Sequence, residues 1–190
     1  MRPIDWTHMR YVAEFGAGTG VFTRQIQARS RSDCHAVIFE QDDRMRHCLR
    51  EEFPDFSFHR DARELPQALT ELSISGLDCI FSGLPFANFP AEVRDQILDQ
   101  AWSALKPGGL FVMFQYSCQL KPRLQRQFTC VDTTFVPFNI PPAFVHVCRK
   151  HPVPRRHSST SLPQEIPHNG KNHSRKPRRK GRSQSWEEAA

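Results

Sequence analysis

The chain has 190 residues, enough for one domain with a sizeable core. Its net charge is +6, but residues 149–190 contain 11 Lys and Arg against 3 Asp and Glu, which leaves residues 1–148 with a net charge of −2. The composition of those first 148 residues therefore excludes a basic nucleic-acid-binding domain. No apolar run approaches the ~18 residues that a membrane span requires.

Apolar runs alternate with helical patterns along the first 150 residues. We predict strands over residues 11–16, 35–40, 55–62, 77–86 (with its loop), 110–117, 130–138 and 143–150. Helices are predicted over residues 21–30, 42–53, 65–72 and 90–109, the last one opened by Pro90 and stopped by Pro107-Gly108-Gly109. A short polar segment separates the strand at 110–117 from the final pair.

This alternation predicts an α/β fold with a doubly wound, mainly parallel, Rossmann-like sheet. The last two strands have no long crossover helix between them, so we expect an antiparallel pair at the C-terminal edge. From His151 onward aliphatic periodicity is almost absent, and such a segment cannot bury enough apolar surface to offset its ordering entropy. The predicted organisation is a folded domain over residues 1–150 and a disordered basic tail over 151–190.

The six cysteines form no CxxC pair, and several lie in apolar runs. This usage favours buried, reduced thiols over disulfides or a metal site, so no metal is expected. The first ten residues contain no apolar segment of the kind found in a secretion signal. We therefore expect a cytoplasmic protein, with any membrane contact peripheral.

Three glycines, Gly16, Gly18 and Gly20, follow the first strand in the stretch AEFGAGTGVF. Glycine permits positive φ and close backbone approach to a cofactor. The dinucleotide-binding pattern is G-x-G-x-x-G, whereas here the spacing is G-x-G-x-G, with Val21 in place of the third glycine. Glu14 ends the strand, and a carboxylate there repels a pyrophosphate but suits a cation. S-adenosylmethionine, which carries an ammonium and a sulfonium, is the predicted ligand.

Two further acids follow the next two strands. Glu40 lies about 20 residues after the glycine turn, the offset at which a carboxylate accepts from both ribose hydroxyls. Asp61, beside Ala62, is placed to accept from the adenine amino group. The full set of predicted cofactor-binding residues is Glu14, Phe15, Gly16, Ala17, Gly18, Thr19, Gly20, Glu40, Gln41, Asp61, Ala62 and Ser82.

Several of these stretches together resemble one known family. VAEFGAGTGVFTRQI, VIFEQDDRM, DCIFSGLPFANFP, LKPGGLFVMFQYS and NIPPAFVHVCRK are similar to the class I methyltransferases of the bacterial phospholipid N-methyltransferase group, which methylate phosphatidylethanolamine. The similarity extends over roughly residues 2–150. It implies a Rossmann-like class I methyltransferase domain that uses S-adenosylmethionine and acts on a lipid amine. Related proteins include the rRNA adenine dimethyltransferases.

The loop after the fourth strand is the predicted substrate site, formed by Gly83, Leu84, Pro85 and Phe86. Enzymes that methylate an adenine amine resemble N-x-P-F/Y here, with the Asn accepting from the amine and the aromatic ring stacking on the flipped base. Gly83 stands at the Asn position, which weakens the adenine hypothesis and favours a flexible alkyl amine. Phe86 and Phe89 either line an acceptor pocket or pack the loop on the sheet.

Tyr116, after the fifth strand, is the candidate catalytic residue, as a hydrogen-bond partner or weak base for the amine. Methyl transfer is an in-line displacement on a sulfonium carbon, so positioning and desolvation supply most of the rate. No dedicated base or metal is required.

Three other functions remain open from the sequence: an rRNA adenine methyltransferase, a non-catalytic cofactor-binding remnant and, least favoured, a nicotinamide-dependent oxidoreductase. The remnant hypothesis arises because relatives carry a longer segment before the first strand, whereas only ten residues precede Tyr11 here. The tail sequence SRKPRRKGR is suited to an anionic membrane surface or, less favourably, to RNA phosphates; the alternative is a solvated extension with no partner.

Overall fold

The computed structural model describes residues 4–138 and 140–151. The predicted tail therefore lies, apart from its first residue, outside the described residues. The strands are β1 (Tyr11–Phe15), β2 (His35–Phe39), β3 (Ser57–His59), β4 (Leu77–Ser82), β5 (Leu105–Gln115), β6 (Cys130–Val136) and β7 (Ala143–Arg149). The helices are α1 (Val21–Arg29), α2 (Asp43–Glu52), α3 (Leu65–Glu71), α4 (Ala91–Ala104) and α5 (Lys121–Gln127).

The strands form a seven-stranded sheet with the order β3-β2-β1-β4-β5-β7-β6. The first five strands pair in parallel, whereas β7 pairs antiparallel with both β5 and β6. Only residues 137–142 connect β6 to β7, too short a link for the crossover that a parallel pair needs. Both the doubly wound parallel sheet and its antiparallel C-terminal edge are thus confirmed.

Alternating strand residues build two cores, one on each face of the sheet. Phe15, Phe39 and Phe111 pack on one face with apolar residues of α3, α4 and α5. Val12 and Ile38 pack on the other face with residues of α1 and α2. Because both faces are covered, the strands are almost continuously apolar, as expected for a parallel sheet. The carboxyl ends of β1 to β4 then lie side by side at one open end of the strands.

The predicted boundary between α4 and β5 was wrong, and one helix was not predicted. Helix α4 ends at Ala104, and the Pro107-Gly108-Gly109 sequence lies inside β5, where the register with β4 shifts. These residues join the sheet because Gly108 N donates to Lys150 O (3.1 Å) and Lys150 N donates to Gly109 O (2.9 Å). The polar segment after β5 contains α5, which was missed because Leu124 is its one buried residue, too few for a periodic pattern.

The cysteines are more exposed than expected. Cys79 and Cys148 are buried, Cys34 is partly exposed, and Cys48 and Cys118 are exposed. The prediction of buried thiols thus holds for two of these five. Among the described residues, no helix combines the length and the apolar character that crossing a membrane would take.

Candidate functional site

The glycine turn joins β1 to α1 at the carboxyl edge of the sheet. Gly16, Gly18 and Gly20 have φ angles of +74°, +54° and +83°, a region that side chains other than glycine rarely adopt. The turn is held against β2, because Gly16 N donates to Phe39 O at 2.8 Å. Gly20 is the N-cap of α1, and a Cβ there would lie 2.5 Å from Leu49 Cδ2. The turn therefore needs glycine for its backbone conformation, and at position 20 a Cβ would also displace the end of the Leu49 side chain.

Glu40 follows β2 and crosses to the glycine turn. Its Oε2 accepts from Gly18 N at 2.7 Å, and its Oε1 accepts from Asp42 N at 2.8 Å. These bonds fix the carboxylate, which is 9% exposed, at the mouth of the turn. A carboxylate has about four lone-pair positions, so it can accept further hydrogen bonds from a ligand. The position and remaining acceptor capacity fit the predicted role of Glu40 toward ribose hydroxyls.

Replacing Glu40 with Gln should weaken S-adenosylmethionine binding by about tenfold or more. The Gln amide keeps one acceptor oxygen but turns an NH₂ group toward either Gly18 N or Asp42 N, so a backbone donor is left unpaired and the turn loosens. Calorimetric titration with the cofactor measures the change. Glu71→Gln, at an exposed position at the end of α3, is the matched control. Equal affinity of wild type and Glu40→Gln would contradict this role.

Glu14 is buried beneath the turn, with no exposed surface. Its Oε2 accepts from the Thr23 hydroxyl of α1 at 2.7 Å, whereas its Oε1 has no hydrogen-bond partner among the described residues. Burial raises the pKa of Glu14 to about 7, the Thr23 hydrogen bond offsets part of this rise, and the nearby charge of Glu40 adds to it. Glu40 and the ionised form of Glu14 are close enough to repel, and the negative potential they create would be relieved by a cationic ligand. The residues present thus fit S-adenosylmethionine.

The Asp61 carboxylate is hydrogen-bonded to Arg63. It accepts from Arg63 N at 2.9 Å and from the Arg63 guanidinium, and these hydrogen bonds hold the pKa of Asp61 below its usual range. Asp61 is also the N-cap of the short 3₁₀ turn Ala62–Glu64. A ligand amine at this position would share the carboxylate with Arg63, so the adenine contact of Asp61 stays a prediction.

A cavity of about 510 Å³ crosses the carboxyl ends of the first four strands. Its volume falls within the range of small-molecule sites. It lies where the strand order reverses between β1 and β4, the usual ligand position in an open α/β sheet. The structure brings together here nine predicted site residues: Gly16, Gly18, Glu40, Gln41, Asp61, Ala62, Gly83, Leu84 and Pro85.

The other predicted cofactor residues do not line this cavity. Phe15 and Ala17 are buried in the two cores, and Ser82 is buried at the end of β4. Thr19 lies on the far side of the turn, where its carbonyl accepts from Arg24 Nη1 at 2.8 Å. None of these residues lines the cavity, so their contact with the cofactor stays a prediction, as it does for Glu14 and Gly20.

The predicted substrate loop divides at Phe86. Gly83, Leu84 and Pro85 line the cavity, whereas Phe86 is fully buried in the core, 5.8 Å from Phe89 between ring centroids. Phe89 also lines the cavity. The Phe86 ring therefore anchors the loop in the core, and the Phe89 ring contributes to the lining of the cavity.

Gly83 is tightly placed between β1 and β4. Its N–H donates to Phe15 O at 2.9 Å, and a Cβ added at this position would lie 3.1 Å from Gly16 O. That separation is tighter than most real Cβ contacts, so an Asn side chain at position 83 would force the glycine turn to move.

Tyr116 lies just past β5 and is 58% exposed. Its ring packs edge-on against Phe114, at 5.6 Å between centroids, and it does not line the cavity. The preceding residue, Gln115, is buried instead, and its Nε2 donates to Leu84 O at 2.8 Å. The catalytic role of Tyr116 stays a prediction, while Gln115 is the residue of this strand end that holds the substrate loop.

Sequence reasoning missed four polar residues around the site: Thr23, Arg60, Arg63 and Gln115. Thr23 binds Glu14, and both arginines line the cavity. A usable signal existed only for Gln115, which has the same strand alternation as the buried Phe111 and Met113. Thr23 lies on α1, and Arg60 and Arg63 follow β3, so their places at the site depend on how these segments pack.

Comparison with known proteins identifies the family. Residues 12–109 match the family model described as a methyltransferase domain. The chain is 34% identical over 154 residues to the ornithine lipid N-methyltransferase of Singulisphaera acidiphila, which covers 78% of this chain and 80% of that relative.

Solved structures share the fold. The N-methyltransferase NodS from Bradyrhizobium japonicum WM9 aligns with a TM-score of 0.63 at 13% identity, over 75% of this chain and 86% of that chain. The 1,6-didemethyltoxoflavin-N1-methyltransferase of Burkholderia thailandensis, solved with S-adenosylhomocysteine, aligns with a TM-score of 0.60 at 16% identity, over 74% of this chain and 71% of that chain. With the family match and the cavity, these likenesses support one conclusion: the chain belongs to the class I methyltransferases and is an N-methyltransferase that uses S-adenosylmethionine.

Proposed function

We propose that this N-methyltransferase transfers a methyl group to the amine of a membrane-lipid headgroup. The apolar acceptor side of the cavity carries the proposal: it is lined by Leu84, Pro85, Phe89, Val93 and Ile97. Such a surface suits a flexible alkyl amine and offers no side-chain acceptor to a planar base amine. Phosphatidylethanolamine, implied by the family resemblance, and ornithine lipid, named for the relative from Singulisphaera acidiphila, are the two acceptors to test.

The polar side of the cavity is the proposed cofactor site. Glu40 would hold the ribose hydroxyls, the backbone of Gly16 to Gly20 the amino-acid part, and Asp61 and Ala62 the adenine. When bound, S-adenosylmethionine supplies an electrophilic methyl group on a positively charged sulfur. Glu40, together with Glu14 in its ionised form, would stabilise a cation at this place through a negative potential.

The acceptor amine must be neutral to attack. The apolar residues around Leu84 and Phe89 favour the neutral amine, because removing an ammonium from water lowers its pKa. Gln115, through its hydrogen bond to Leu84 O, holds the loop that the amine would contact. Water at the open edge, or Tyr116 after a movement of its exposed side chain, would take the proton. Positioning and desolvation therefore carry most of the proposed rate.

An acceptor-labelling experiment tests the proposal. Purified protein is incubated with methyl-labelled S-adenosylmethionine and either vesicles containing phosphatidylethanolamine, vesicles containing ornithine lipid, or ribosomal RNA. We expect label in the organic phase of at least one vesicle sample and none in RNA. Label in RNA, or none in any sample while the cofactor still binds, would overturn the lipid proposal. Phosphatidylcholine vesicles, which have no amine to methylate, are the control.

A further inference from the structure

A second recess lies beside the substrate loop, between the start of α4 and helix α5. We call it the arginine groove: its volume is about 350 Å³, and its polar lining includes Arg94, Arg123, Arg126, Ser117 and Gln119. It is distinct from the cavity that crosses β1 to β4, because the two share no lining residue. Three arginines and one acid, Asp95, line it, so its lining carries a net positive charge.

The arginines of the groove are not equally available to a ligand. Arg123 is paired twice, with Asp95 at 3.2 Å and Asp99 at 2.7 Å. Arg94 Nε is 3.8 Å from Asp95 Oδ1, too far for a hydrogen bond, and this buried N–H has no acceptor among the described residues. Arg126 is exposed and makes no ion pair within the described part of the chain. Two guanidinium groups are therefore available to an anion.

Among the described residues Arg94 has only this long ion pair with Asp95, and its side chain is 30% exposed, so its charge is less compensated than that of Arg123. Guanidinium groups bind phosphates and carboxylates through paired, charge-assisted hydrogen bonds. The Ser117 hydroxyl and the Gln119 amide, which also line the groove, are further donors for such a group.

The groove is linked to the acceptor side of the cavity by one residue. Gln115 lines the groove, and its Nε2 donates at 2.8 Å to the carbonyl of Leu84, which lines the cavity. An anion in the groove would thus lie on the other side of the substrate loop from the proposed methyl-transfer position. The groove and the acceptor side of the cavity are thus neighbouring sites joined through the same loop.

We propose that the arginine groove binds the anionic group, phosphate or carboxylate, of the lipid headgroup whose amine is methylated. This inference rests on the proposed function and deepens it, because it limits the acceptors to zwitterionic lipids. Both candidate lipids belong to that class: one has a phosphate near its amine, the other a carboxylate. The groove would orient the headgroup, and Arg94 and Arg126 are positioning residues rather than catalytic ones.

Binding of a soluble probe tests the groove without requiring turnover. The probe is dihexanoyl phosphatidylethanolamine below its micellar concentration, titrated calorimetrically into the full chain, with inorganic phosphate as a second titrant. We expect the double variant Arg94→Gln, Arg126→Gln to lose at least about tenfold in probe affinity. Arg29→Gln, an exposed arginine at the end of α1, is the matched control and should bind as wild type. Arg126→Lys in the Arg94→Gln background should recover part of the affinity, because it restores the charge.

Equal probe affinity in wild type and the double variant would overturn the inference, as would a loss of affinity in Arg29→Gln as well. Binding of inorganic phosphate as tight as that of the probe would also overturn it, because the groove would then be a free-anion site. Thermal unfolding of each variant checks that the fold is kept. If wild type methylates a lipid, the double variant should also raise KM for that lipid with kcat little changed. If wild type binds the probe in the groove yet methylates no lipid, the proposed function fails while the anion site stands.

Discussion

Replacing Gly18 with Leu should abolish S-adenosylmethionine binding while the protein stays folded. Gly18 lines the cavity, and a Cβ added there meets no heavy atom of the described chain within 4 Å. The leucine side chain would therefore project into the space proposed for the cofactor without a clash in the fold. Its left-handed backbone, at φ +54°, adds a cost of about 1–2 kcal/mol. We expect cofactor affinity to fall by roughly 100-fold or more in calorimetric titration.

Gly108→Leu is the matched control for this prediction. Gly108 also has a positive φ, +82°, and a Cβ there likewise meets no described heavy atom within 4 Å. It lies near the start of β5, at the opposite end of the strand from the cavity. The two variants should lose similar stability, but only Gly18→Leu should lose cofactor binding. Unchanged affinity of Gly18→Leu would show that the cofactor does not occupy this part of the cavity.

Replacing Glu14 with Gln should remove a pH dependence of stability. Burial raises the pKa of Glu14 to about 7 in the folded protein, from 4.5 when unfolded. The folded state therefore holds the proton more tightly, so this carboxyl stabilises the fold below pH 4.5 and that contribution is lost as the pH rises through 7. The loss amounts to roughly 3 kcal/mol between pH 4.5 and 8. Gln stays neutral, accepts the Thr23 hydrogen bond and should show no such loss.

Urea unfolding of wild type and Glu14→Gln at pH 5, 6, 7 and 8 measures this difference. The free energy of unfolding of the variant should exceed that of wild type increasingly as the pH rises, and the difference should level off above pH 7. Other titrating groups, including the buried His146, are common to both proteins and cancel in the comparison. Glu92→Gln, at an exposed position in the first turn of α4, should track wild type at every pH. A difference that is constant with pH would mean that Glu14 is charged throughout this range.

The fold followed closely from the sequence because its strands are apolar on both faces and its helices are placed regularly between them. The exceptions share a cause. The Pro107-Gly108-Gly109 sequence ends helices by local rules, yet here it pairs with Lys150, more than forty residues later. Helix α5 buries one residue, Leu124, so its sequence shows no apolar periodicity from which a helix could be predicted.

The sequence by itself determined the region of the site. Gly16, Glu40, Asp61 and Gly83 each follow a strand, and the carboxyl ends of parallel strands meet at one edge, so strand order along the chain was enough to bring them together. The glycine spacing and Glu14 then indicated a cationic ligand, and the family comparison agrees.

Only the tertiary structure decided how each group is used. Burial under α1 sets the pKa of Glu14, Arg63 occupies the carboxylate of Asp61, and Gln115 rather than Tyr116 turns toward the substrate loop. The arginine groove is the clearest case, because α4 and α5 bring its residues together across a whole strand of intervening sequence. The Asp61–Arg63 pair is local, but the burial of Glu14, the Gln115 hydrogen bond and the groove depend on how separate elements pack, which spacing along the chain does not specify.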